Sequence, residues 1–319
     1  MNTTPLSPNK DIAAAVVTAM TNEKVLSSSR MTTGNQYFVF DIKTTHSEYV
    51  IRMTDNQHKN NFISAIYWQE RLIPLGLPLA KFINSDLEGN YSQFPALLML
   101  RLPGDDLCNI YSNLTALDKK HLAREMVKIQ AATDPLPDGL GFGNASSYEQ
   151  KPKDHTWYDF LMNRLRLFEE IIRKNAIFDV NNVTQAISVA ENMEQELRAM
   201  RAKPFLWDAS ERNVIIDKNK ITGIVDVDDL CFGDPLFVLA LTYVALENDG
   251  HDTLYADYWA EALQLDERAL LRLEFYRLFY AIVFMRQQTM TTTNQKVINH
   301  NISILQNMFK KSLLKIMAL

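Results

Sequence analysis

One stretch in the second half of the chain, residues 205–235, constrains the fold most strongly. Its sequence is FLWDASERNVIIDKNKITGIVDVDDLCFGDP, and it places two short β-forming apolar runs on either side of the polar segment DKNK. Runs of this kind, separated by a few turn-forming residues, predict a tight antiparallel hairpin. A two-residue turn at Asn219 and Lys220 would set Asn213 opposite Asp226. The sequence therefore predicts that an amide and a carboxylate meet at the open end of this hairpin.

A third polar residue, Asp208, precedes Asn213 by five positions on the loop that leads to the same end. A small number of hard oxygen ligands suits Mg²⁺, which keeps water and substrate phosphate in its remaining coordination positions. Phosphoryl transfer to a hydroxyl needs such a trio, because one carboxylate accepts or orients the hydroxyl proton and the other groups hold the ion. We therefore predict Asp208 as catalytic and Asn213 and Asp226 as metal ligands.

The rest of the chain divides into a strand-rich first third and a mostly helical remainder. β-branched and aromatic runs predict strands at 37–42, 48–53 and 96–100, and helical spacing of apolar residues predicts a helix from 62 to 73. The segment 1–20 predicts a leading helix. Pro103 and Gly104 interrupt the pattern after the last of these strands, and apolar stripes at helical spacing follow. The natural boundary therefore lies between residues 103 and 104.

Composition excludes several classes of protein. The 319-residue chain has a net charge of −5 and a pI near 5.7, so it lacks the broad basic surface that nucleic acid or an anionic membrane requires. Its two cysteines, Cys108 and Cys231, provide neither a disulfide framework nor a zinc site, which fits a cytoplasmic protein. The longest apolar run, 235–246, is shorter than the roughly 20 residues that cross a bilayer. We expect no nucleic-acid partner and no membrane segment, and the sequence indicates no oligomeric state.

The motif pattern resembles a known family. D-x-x-x-x-N followed by a hairpin and a further Asp is similar to the catalytic core of protein kinases, and more closely to the aminoglycoside phosphotransferase and choline kinase family. That family's second signature, a strand ending in Asp and followed by G-D-P, is present as VDVDDLCFGDP. The resemblance covers residues 27–246. It implies an α+β, two-lobed protein-kinase-like fold, with a small antiparallel-sheet lobe (1–103) that covers the nucleotide and a mostly helical lobe (104–319). It also implies ATP or GTP as co-substrate, Mg²⁺ as cofactor, and a small hydroxyl-bearing acceptor.

The resemblance further assigns nucleotide-binding roles in the first lobe. The turn at 32–36, in which Gly34 is the only glycine, corresponds to the nucleotide-covering loop, and Arg52 corresponds to the basic residue that holds the α- and β-phosphates. Glu70 is the only acid on the following helix, where an exposed position is favoured over pairing with Arg52. The hinge whose backbone receives the adenine corresponds to Met99, Leu100, Arg101 and Leu102.

The chain departs from the family at two positions. Leu206 and Trp207 stand where the family has His-Gly before the catalytic Asp, and Val238 replaces an Asp that braces the catalytic loop in relatives. The second departure places the support of that loop in question. Asp234 and Trp207 are two candidates for compensating it.

Two other functions remain open at this stage. The sequence VDVDDL is also similar to the motif of aspartate-nucleophile phosphatases, with Asp226 as nucleophile and Asp228 as acid, but that fold requires alternating strands and helices downstream. The second alternative is a nucleotide-binding pseudokinase without turnover. The simultaneous presence of Asp208, Asn213 and Asp226 argues against it.

The acceptor itself is addressed only by charge. Residues 221–267 contain eleven acids and no Lys or Arg. Such a stretch would attract a cationic acceptor, an amine or quaternary ammonium compound, seated against Tyr243, Tyr255 or Trp259. Solvated faces of helices explain the same acids equally well. Aminoglycosides, choline-like alcohols, sugars, amino alcohols and macrolides all remain possible acceptors.

Overall fold

The computed structural model describes residues 7–31, 37–291 and 295–318, and within them the chain forms two parts. The amino-terminal part is built on a five-stranded antiparallel sheet in the order β1-β2-β3-β5-β4, and the carboxyl-terminal part is mostly helical with two small three-stranded sheets, β10-β9-β6 and β7-β11-β8. The strands are β1 (Val25–Arg30), β2 (Phe38–Thr44), β3 (Glu48–Met53), β4 (Phe82–Asp86), β5 (Ala96–Leu100), β6 (Asp105–Asp106), β7 (Gly143–Ala145), β8 (Lys203–Phe205), β9 (Val214–Asp217), β10 (Lys220–Ile224) and β11 (Leu230–Gly233). The α-helices are α1 (Lys10–Thr21), α2 (Lys59–Leu72), α3 (Leu107–Ile110), α4 (Ala116–Ala131), α5 (Trp157–Asn175), α6 (Asn181–Asn192), α7 (Glu194–Arg198), α8 (Leu236–Asn248), α9 (Leu254–Leu263), α10 (Glu267–Thr291) and α11 (Gln295–Ala318).

The amino-terminal sheet follows from alternating apolar residues on β2 and β3, which pair antiparallel from Phe38 with Met53 to Lys43 with Glu48. One face of the sheet packs against α1, whose Val16 and Val17 are buried. The side chain of Asn9 accepts hydrogen bonds from the first backbone N–H groups of α1 and thereby fixes where this helix begins. The predicted leading helix and the hairpin of β2 and β3 are confirmed.

Helix α2 joins the two parts of the molecule. Phe62 and Ala65 pack with Leu97 on the second face of the sheet, whereas Trp68 and Leu72 belong to the large core of the carboxyl-terminal part. The indole N–H of Trp68 also donates to the carbonyl of Ala145, on β7, at 2.8 Å. The position of the sheet over the helical part is therefore set by buried contacts on both faces of α2.

The carboxyl-terminal part is organised around α8, whose residues 236–246 are all buried. A helix that is apolar on every side must lie in the interior, and α8 is packed by α9, α10 and α11. Helix α4 starts with the predicted capping box, in which Thr115 and Asp118 each bond the other's backbone N–H. In the portion of the chain that the structure describes, no helix is both long enough and apolar enough to cross a membrane.

The segment between β5 and β6 links the two sheets. Gly104 has a φ of 112°, and a Cβ atom there would lie 2.1 Å from the carbonyl oxygen of Ile216 on β9. Only glycine fits so close to this backbone. The predicted α+β architecture is confirmed, and the division of the chain at 103/104 stays a prediction.

Candidate functional site

The loop between β8 and β9, residues 206–213, carries two of the predicted site residues. Helix α4 holds its first residue, because the Gln130 amide accepts from the N–H of Leu206 at 3.2 Å and donates to its carbonyl at 3.0 Å. The Thr133 hydroxyl donates to the carbonyl of Pro204 at 2.9 Å. The loop is thus anchored by side chains of α4 and of the turn that follows it, which sequence reasoning did not identify.

Of the two proposed substitutes for the missing brace, Asp234 bonds other elements, whereas Trp207 packs against the large core from within the loop. Val238 is fully buried within α8. The Asp234 carboxylate accepts from Arg272 Nε and from the Tyr276 hydroxyl, both at 2.9 Å, so it ties the start of α8 to α10 instead. Trp207 lines the cleft beside Asp208. The support that the sequence left in question comes from Gln130.

Within the loop, Asn213 closes the turn that presents Asp208. Its Nδ2 atom donates to the backbone carbonyl of Asp208 at 2.9 Å, and its backbone N–H donates to Ser210 at 3.0 Å. Because the amide nitrogen is used in this way, the amide oxygen is the atom that can bind a cation. The spacing of five residues thus has a structural reason as well as a chemical one.

The hairpin of β9 and β10 forms, but its predicted register is wrong. The turn residues are Lys218 and Asn219, with φ of 48° and 61°, so that Asp217 faces Lys220. A bulge before Gly223 then shifts the pairing by one residue, and the N–H of Val225 donates to the carbonyl of Asn213 at 2.9 Å. Asn213 therefore faces Val225. Asp226 follows one residue later in a left-handed conformation, with φ of 60°.

Asp208, Asn213 and Asp226 nevertheless line the same cleft, which has a volume of about 1240 Å³ between the two parts of the molecule. The pKa of Asp208 is raised to about 7, chiefly by burial and also by the negative charge of Asp226, while a hydrogen bond from Asn213 opposes the rise. Burial also raises the pKa of Asp226, which Arg52 opposes and Asp228 reinforces. Buried carboxyl groups close to other acids create a site that a cation would stabilise.

The donor set fits a cation that retains most of its own ligands. Asp226 and Asn213 offer one carboxylate and one amide oxygen, and 43% of the Asp226 side chain is exposed to the cleft. Across the described residues, no group of three His, Cys, Asp or Glu side chains could enclose a metal ion. This arrangement suits Mg²⁺ completed by water and phosphate, and it does not suit a metal with an all-protein shell.

Arg52 on β3 is buried and has its own acidic partner. Its two terminal nitrogens donate to the two oxygens of Asp228 at 2.8 and 2.7 Å, and one of them also lies 3.2 Å from Asp226. The Tyr37 hydroxyl donates to Asp228 at 2.5 Å, and the Arg52 guanidinium lies 4.1 Å from the centre of the Tyr37 ring. Burial and the charge of Asp228 raise the pKa of Tyr37 well above its usual value. These three residues form a unit, here called the arginine clamp (Tyr37, Arg52 and Asp228).

The acid that pairs with Arg52 is therefore Asp228, and Glu70 is exposed on α2 as favoured. Helix α2 contributes Ser64 instead, whose hydroxyl bonds the carbonyl of Asp228 at 2.5 Å and the carboxylate of Asp229 at 2.7 Å. From the sequence alone, Asp228 was named only as the acid of the phosphatase alternative. The sequence did contain a signal for this pair. A run of acids follows directly after a strand, and one buried basic residue, Arg52, is available to bond with it.

All four predicted hinge residues line the cleft. The backbone N–H groups of Leu100 and Arg101 already donate to Lys81 and Glu48, each at 3.0 Å, and the Arg101 side chain pairs with Asp41. At least these two of the four amides are thus used inside the protein, and Met99 lies in β5, paired with both Val50 and Phe82. Purine binding by Met99 to Leu102 stays a prediction, and Gly34 lies outside the described residues.

The acidic stretch that suggested a cationic acceptor is largely paired. Asp234 bonds Arg272, Glu247 bonds Arg277, Asp249 bonds Arg212, Asp252 bonds Lys119 and Glu261 bonds Lys120. The predicted aromatic seat is wrong, because Tyr243, Tyr255 and Trp259 are buried in the core and do not line the cleft. A hydrophobic interior position suits these rings because the helices carrying them pack on α4 and α10.

Acidic residues from outside that stretch line the cleft. Asp105 and Asp106, on β6, line it without an ion pair among the described residues, and burial together with Asp105 raises the pKa of Asp106. Glu211 is fully buried, neither carboxylate oxygen has a hydrogen-bond partner in the described chain, and its ion pair with the Nε atom of Arg212 is long, at 3.7 Å. The pKa of Glu211 is raised to about 7, chiefly by burial and also by Asp249, while its own backbone N–H and the charge of Arg212 oppose the rise.

The phosphatase alternative does not agree with the fold. After Asp228 the described chain has one four-residue strand, antiparallel to both neighbours, and then the four helices α8 to α11. The alternating strands and helices that the phosphatase mechanism requires are not formed there.

Comparisons with known proteins agree with this geometry. The model of the phosphotransferase enzyme family, APH, matches residues 33–276. The chain is similar in structure to a thermostable mutant of aminoglycoside phosphotransferase APH(4)-Ia in ternary complex with ADP and hygromycin B, at 15% identity and a TM-score of 0.66, covering 94% of this chain and 97% of that one.

Two further solved structures show the same similarity. The GDP and kanamycin complex of APH(2")-IIia has 13% identity and a TM-score of 0.69, with 95% and 99% of the two chains covered. A putative fructosamine-3-kinase from Haemophilus somnus 129PT has 14% identity and a TM-score of 0.63, with 93% and 96% covered. Comparison with curated protein sequences gives no significant match. The two-lobed kinase-like fold is confirmed.

Proposed function

The chain belongs to the phosphotransferase enzyme family, and from this premise we propose that it transfers the γ-phosphate of ATP or GTP to a hydroxyl group of a small molecule. The observation that carries the proposal is the placement of Asp208, Asn213, Asp226 and Arg52 around one cleft. These four side chains supply a base, two ligands for a metal ion and a phosphate-binding cation. Phosphoryl transfer depends on positioning and charge neutralisation, and this set provides both.

Asp208 acts on the acceptor hydroxyl in this proposal. With a pKa of about 7, its carboxyl group is partly ionised at neutral pH, which is the range where a general base is most effective. The carboxylate accepts the hydroxyl proton as the oxygen attacks the γ-phosphorus. The hydrogen bond between Asn213 and the Asp208 carbonyl holds the base in position.

Asn213 and Asp226 would hold Mg²⁺, which when bound neutralises the charge on the β- and γ-phosphates. The structural support is the oxygen-only donor set and the raised pKa of Asp226, which falls when a cation binds beside it. Replacing Asp226 with Ala should abolish the Mg²⁺-dependent part of nucleotide affinity. Titration calorimetry with and without Mg²⁺ measures this, and an unchanged Mg²⁺ dependence would exclude Asp226 as a ligand.

Arg52 would bind the α- and β-phosphates, and the backbone of Met99 to Leu102 would receive the purine. The guanidinium already lies next to Asp226, so phosphate, metal and arginine meet at one point of the cleft. A bidentate guanidinium suits phosphate oxygens as well as it suits a carboxylate. Nucleotide binding would therefore draw Arg52 partly away from Asp228.

The acceptor is proposed to be cationic. This proposal no longer depends on the acidic stretch 221–267 but on two acids that line the cleft. Asp105 and Asp106 line the cleft and form no salt bridge among the described residues, although Arg101 lies near enough to lower the pKa of Asp106, so an amine bound there would add to the charge that Arg101 supplies. Hygromycin B and kanamycin, present in the structures of relatives, belong to the class of amine-bearing hydroxyl compounds. An amino alcohol is the simplest acceptor that meets both conditions.

An acceptor screen tests the function directly. Purified protein is incubated with Mg²⁺, ATP or GTP and single hydroxyl compounds, and nucleoside diphosphate release is followed. We expect release that depends on one class of acceptor and disappears in Asp208→Ala. Tight nucleotide binding with no acceptor-dependent release would instead identify a binding protein without turnover.

A further inference from the structure

Arg52 has few of its bonding groups free for the phosphate that the proposed function assigns to it. Only 9% of its side chain is exposed, and its guanidinium lies 4.1 and 5.5 Å from the centres of the Tyr37 and Phe62 rings. Both terminal nitrogens donate to Asp228. Among the described residues, Tyr37 and Arg52 line the cleft and Asp228 does not. The charge that a nucleotide would need is therefore directed into the protein.

The hydrogen bonds of Arg52 occupy the edges that a phosphate would use. A guanidinium binds two oxygens at once along an edge formed by adjacent N–H groups, and the atom Nη2 belongs to each such edge. Asp228 takes the edge formed by Nη1 and Nη2, at 2.8 and 2.7 Å, and Asp226 lies 3.2 Å from Nη2. A phosphate can therefore receive two bonds from Arg52 only after a carboxylate has released it.

This release does not require the two parts of the molecule to separate. Arg52 belongs to the amino-terminal sheet, and the two carboxylates that hold it belong to the segment after β10 in the carboxyl-terminal part. A separate backbone bond joins the parts, because the N–H of Ile224 donates to the carbonyl of Pro78 at 2.7 Å. The buried contacts of α2 join them as well. Arg52 can therefore leave Asp228 as a local change of side-chain position.

The hydroxyl of Tyr37 provides Asp228 with a second partner. It donates to the carboxylate at 2.5 Å, and burial together with the charge of Asp228 raises the pKa of the hydroxyl, so it stays protonated. When Arg52 leaves, this bond remains and reduces the cost of a carboxylate that has lost its cation. Tyr37 therefore favours the release of Arg52, whereas the charge of Asp228 opposes it.

We propose that Asp228 is an autoinhibitory residue, which withholds Arg52 until the phosphates of a nucleotide displace it. The proposal rests on the proposed function for the identity of the ligand. Arg52 leaves the carboxylate of Asp228 and bonds the phosphate oxygens, while Asp228 keeps its bond to Tyr37. This exchange lowers the affinity for nucleotides. It does not affect adenosine, because a ligand without phosphate leaves Arg52 in place.

Asp228→Asn tests the proposal by calorimetry with AMP-PNP and with adenosine, both in the presence of Mg²⁺. The amide keeps the size of the side chain but lacks the charge that holds Arg52. The dissociation constant of AMP-PNP should therefore fall about tenfold, the value of one charge-assisted hydrogen bond, and that of adenosine should not change. Weaker or unchanged binding of AMP-PNP would overturn the proposal, because Asp228 would then support Arg52 rather than withhold it.

Asp229→Asn is the matched control for the loss of a negative charge. It changes the neighbouring position, whose carboxylate bonds the hydroxyl of Ser64 at 2.7 Å instead of Arg52. The affinity for AMP-PNP should remain that of the wild type. An equal gain in both variants would overturn the proposal, since net charge near the phosphates would then set the affinity and the release of Arg52 would not.

Tyr37→Phe provides a test of opposite sign that does not depend on the folding of Asp228→Asn. The ring beside Arg52 is kept and the hydroxyl is lost, so the dissociation constant of AMP-PNP should rise about threefold, with adenosine unchanged. In the double variant with Asp228→Asn this loss should disappear, because the charge that the hydroxyl holds is gone. Unchanged or tighter binding in Tyr37→Phe would contradict the exchange. A loss of the same size in both backgrounds would also contradict it, because the hydroxyl would then bond the phosphate itself.

Failure of the proposed function gives a different result in the same titrations. AMP-PNP that binds neither the wild type nor Asp228→Asn would show that the cleft takes no nucleotide, and both proposals would be wrong. AMP-PNP that binds the wild type but is not bound more tightly by Asp228→Asn would overturn the autoinhibition alone. Because binding is measured instead of turnover, these results do not require a known acceptor.

Discussion

The two sides of the cleft differ in whether their buried polar groups have hydrogen-bond partners within the protein. On the nucleotide side the arginine clamp is complete, because Arg52 bonds both oxygens of Asp228 and Tyr37 bonds the same carboxylate. On the other side, the carboxyl group of Glu211 and the hydroxyl of Tyr280 are buried without hydrogen-bond partners in the described chain. The first side is satisfied by the protein itself, whereas the second keeps buried polar atoms that are bonded neither to the described chain nor to solvent.

This difference has an energetic consequence. A complete clamp stabilises the fold without ligand, but a nucleotide must compete with Asp228 for the guanidinium. Buried polar groups that lack a hydrogen-bond partner destabilise the fold, because each costs on the order of 1–3 kcal/mol of folding free energy. The protein therefore gives up stability at Glu211 and Tyr280, and the four predictions below test this contrast.

The largest expected effect is on catalysis at the point where the two sides meet. Asp208→Ala should lower kcat about 10²- to 10⁴-fold, because a positioned base is removed from the cleft. Nucleotide affinity, measured by calorimetry, should stay nearly unchanged because the clamp and Asp226 remain. Full turnover in this variant would mean that Asp208 is not the base.

The second effect concerns stability on the incomplete side. The folded-state pKa of Glu211, about 7, lies above its usual 4.5, so its favourable contribution is complete below about pH 4.5 and is lost as the pH rises through 7. Glu211→Gln removes a buried charge and should increase the free energy of unfolding at pH 8 by about 2–3 kcal/mol, with little change at pH 5.

Denaturant unfolding at the two pH values measures the Glu211 effect. Glu267→Gln, an exposed acid on α10, is the matched control and should show no such difference. A pH dependence that survives in Glu211→Gln is expected in part, because Asp208 has a raised pKa of the same sign. An equal change at pH 5 and pH 8 would show that Glu211 is not titrating in this range.

The third effect tests the complete side. Arg52→Lys keeps the charge but cannot bond two oxygens at once, so it should weaken ATP about tenfold and adenosine hardly at all. Asp228→Asn keeps the shape of the partner and removes its charge, and it should not reproduce this selectivity for phosphates. Equal losses for ATP and adenosine in Arg52→Lys would assign Arg52 to the structure of the clamp alone.

The sequence predicted the catalytic loop and the long elements for physical reasons. Strands such as β2 and β3 alternate over six or seven residues, and the spacing of Asp208 and Asn213 reflects a hydrogen bond within one loop. Local patterns of this kind are visible in a single sequence. The same reasoning predicted strand β5, because it is a continuous apolar run, whereas the hinge role of the residues at its end came from the family resemblance and stays a prediction.

Features that depend on distant residues were not predictable in this way. The hairpin register was wrong because the turn lies at Lys218 and Asn219, one residue earlier than predicted, and the bulge on β10 reverses only part of the resulting shift. Gln130 braces Leu206 across 76 positions, and Asp228 reaches Arg52 across 176. The predicted aromatic contact with the acceptor was wrong for a related reason. A Tyr or Trp on a helix has the same local sequence pattern whether it faces a cleft or the core.

The smallest expected effect is electrostatic, and it separates the acids of the cleft from the acids of the helices. Asp105 is exposed at the cleft without a basic partner among the described residues, whereas most acids of 226–267 are paired with Lys or Arg. Exposed charges act over a Debye length of about 10 Å at 0.1 M salt and about 3 Å at 1 M. For a cationic acceptor such as choline, kcat/KM should fall about threefold across this range. The neutral isostere 3,3-dimethylbutanol should show no such fall.

Asp105→Asn should flatten the salt dependence, while Glu267→Gln, with the same change in net charge, should not. If both variants flatten it equally, net charge rather than the cleft attracts the acceptor, and if the neutral isostere is as good a substrate as choline, the acceptor need not be cationic.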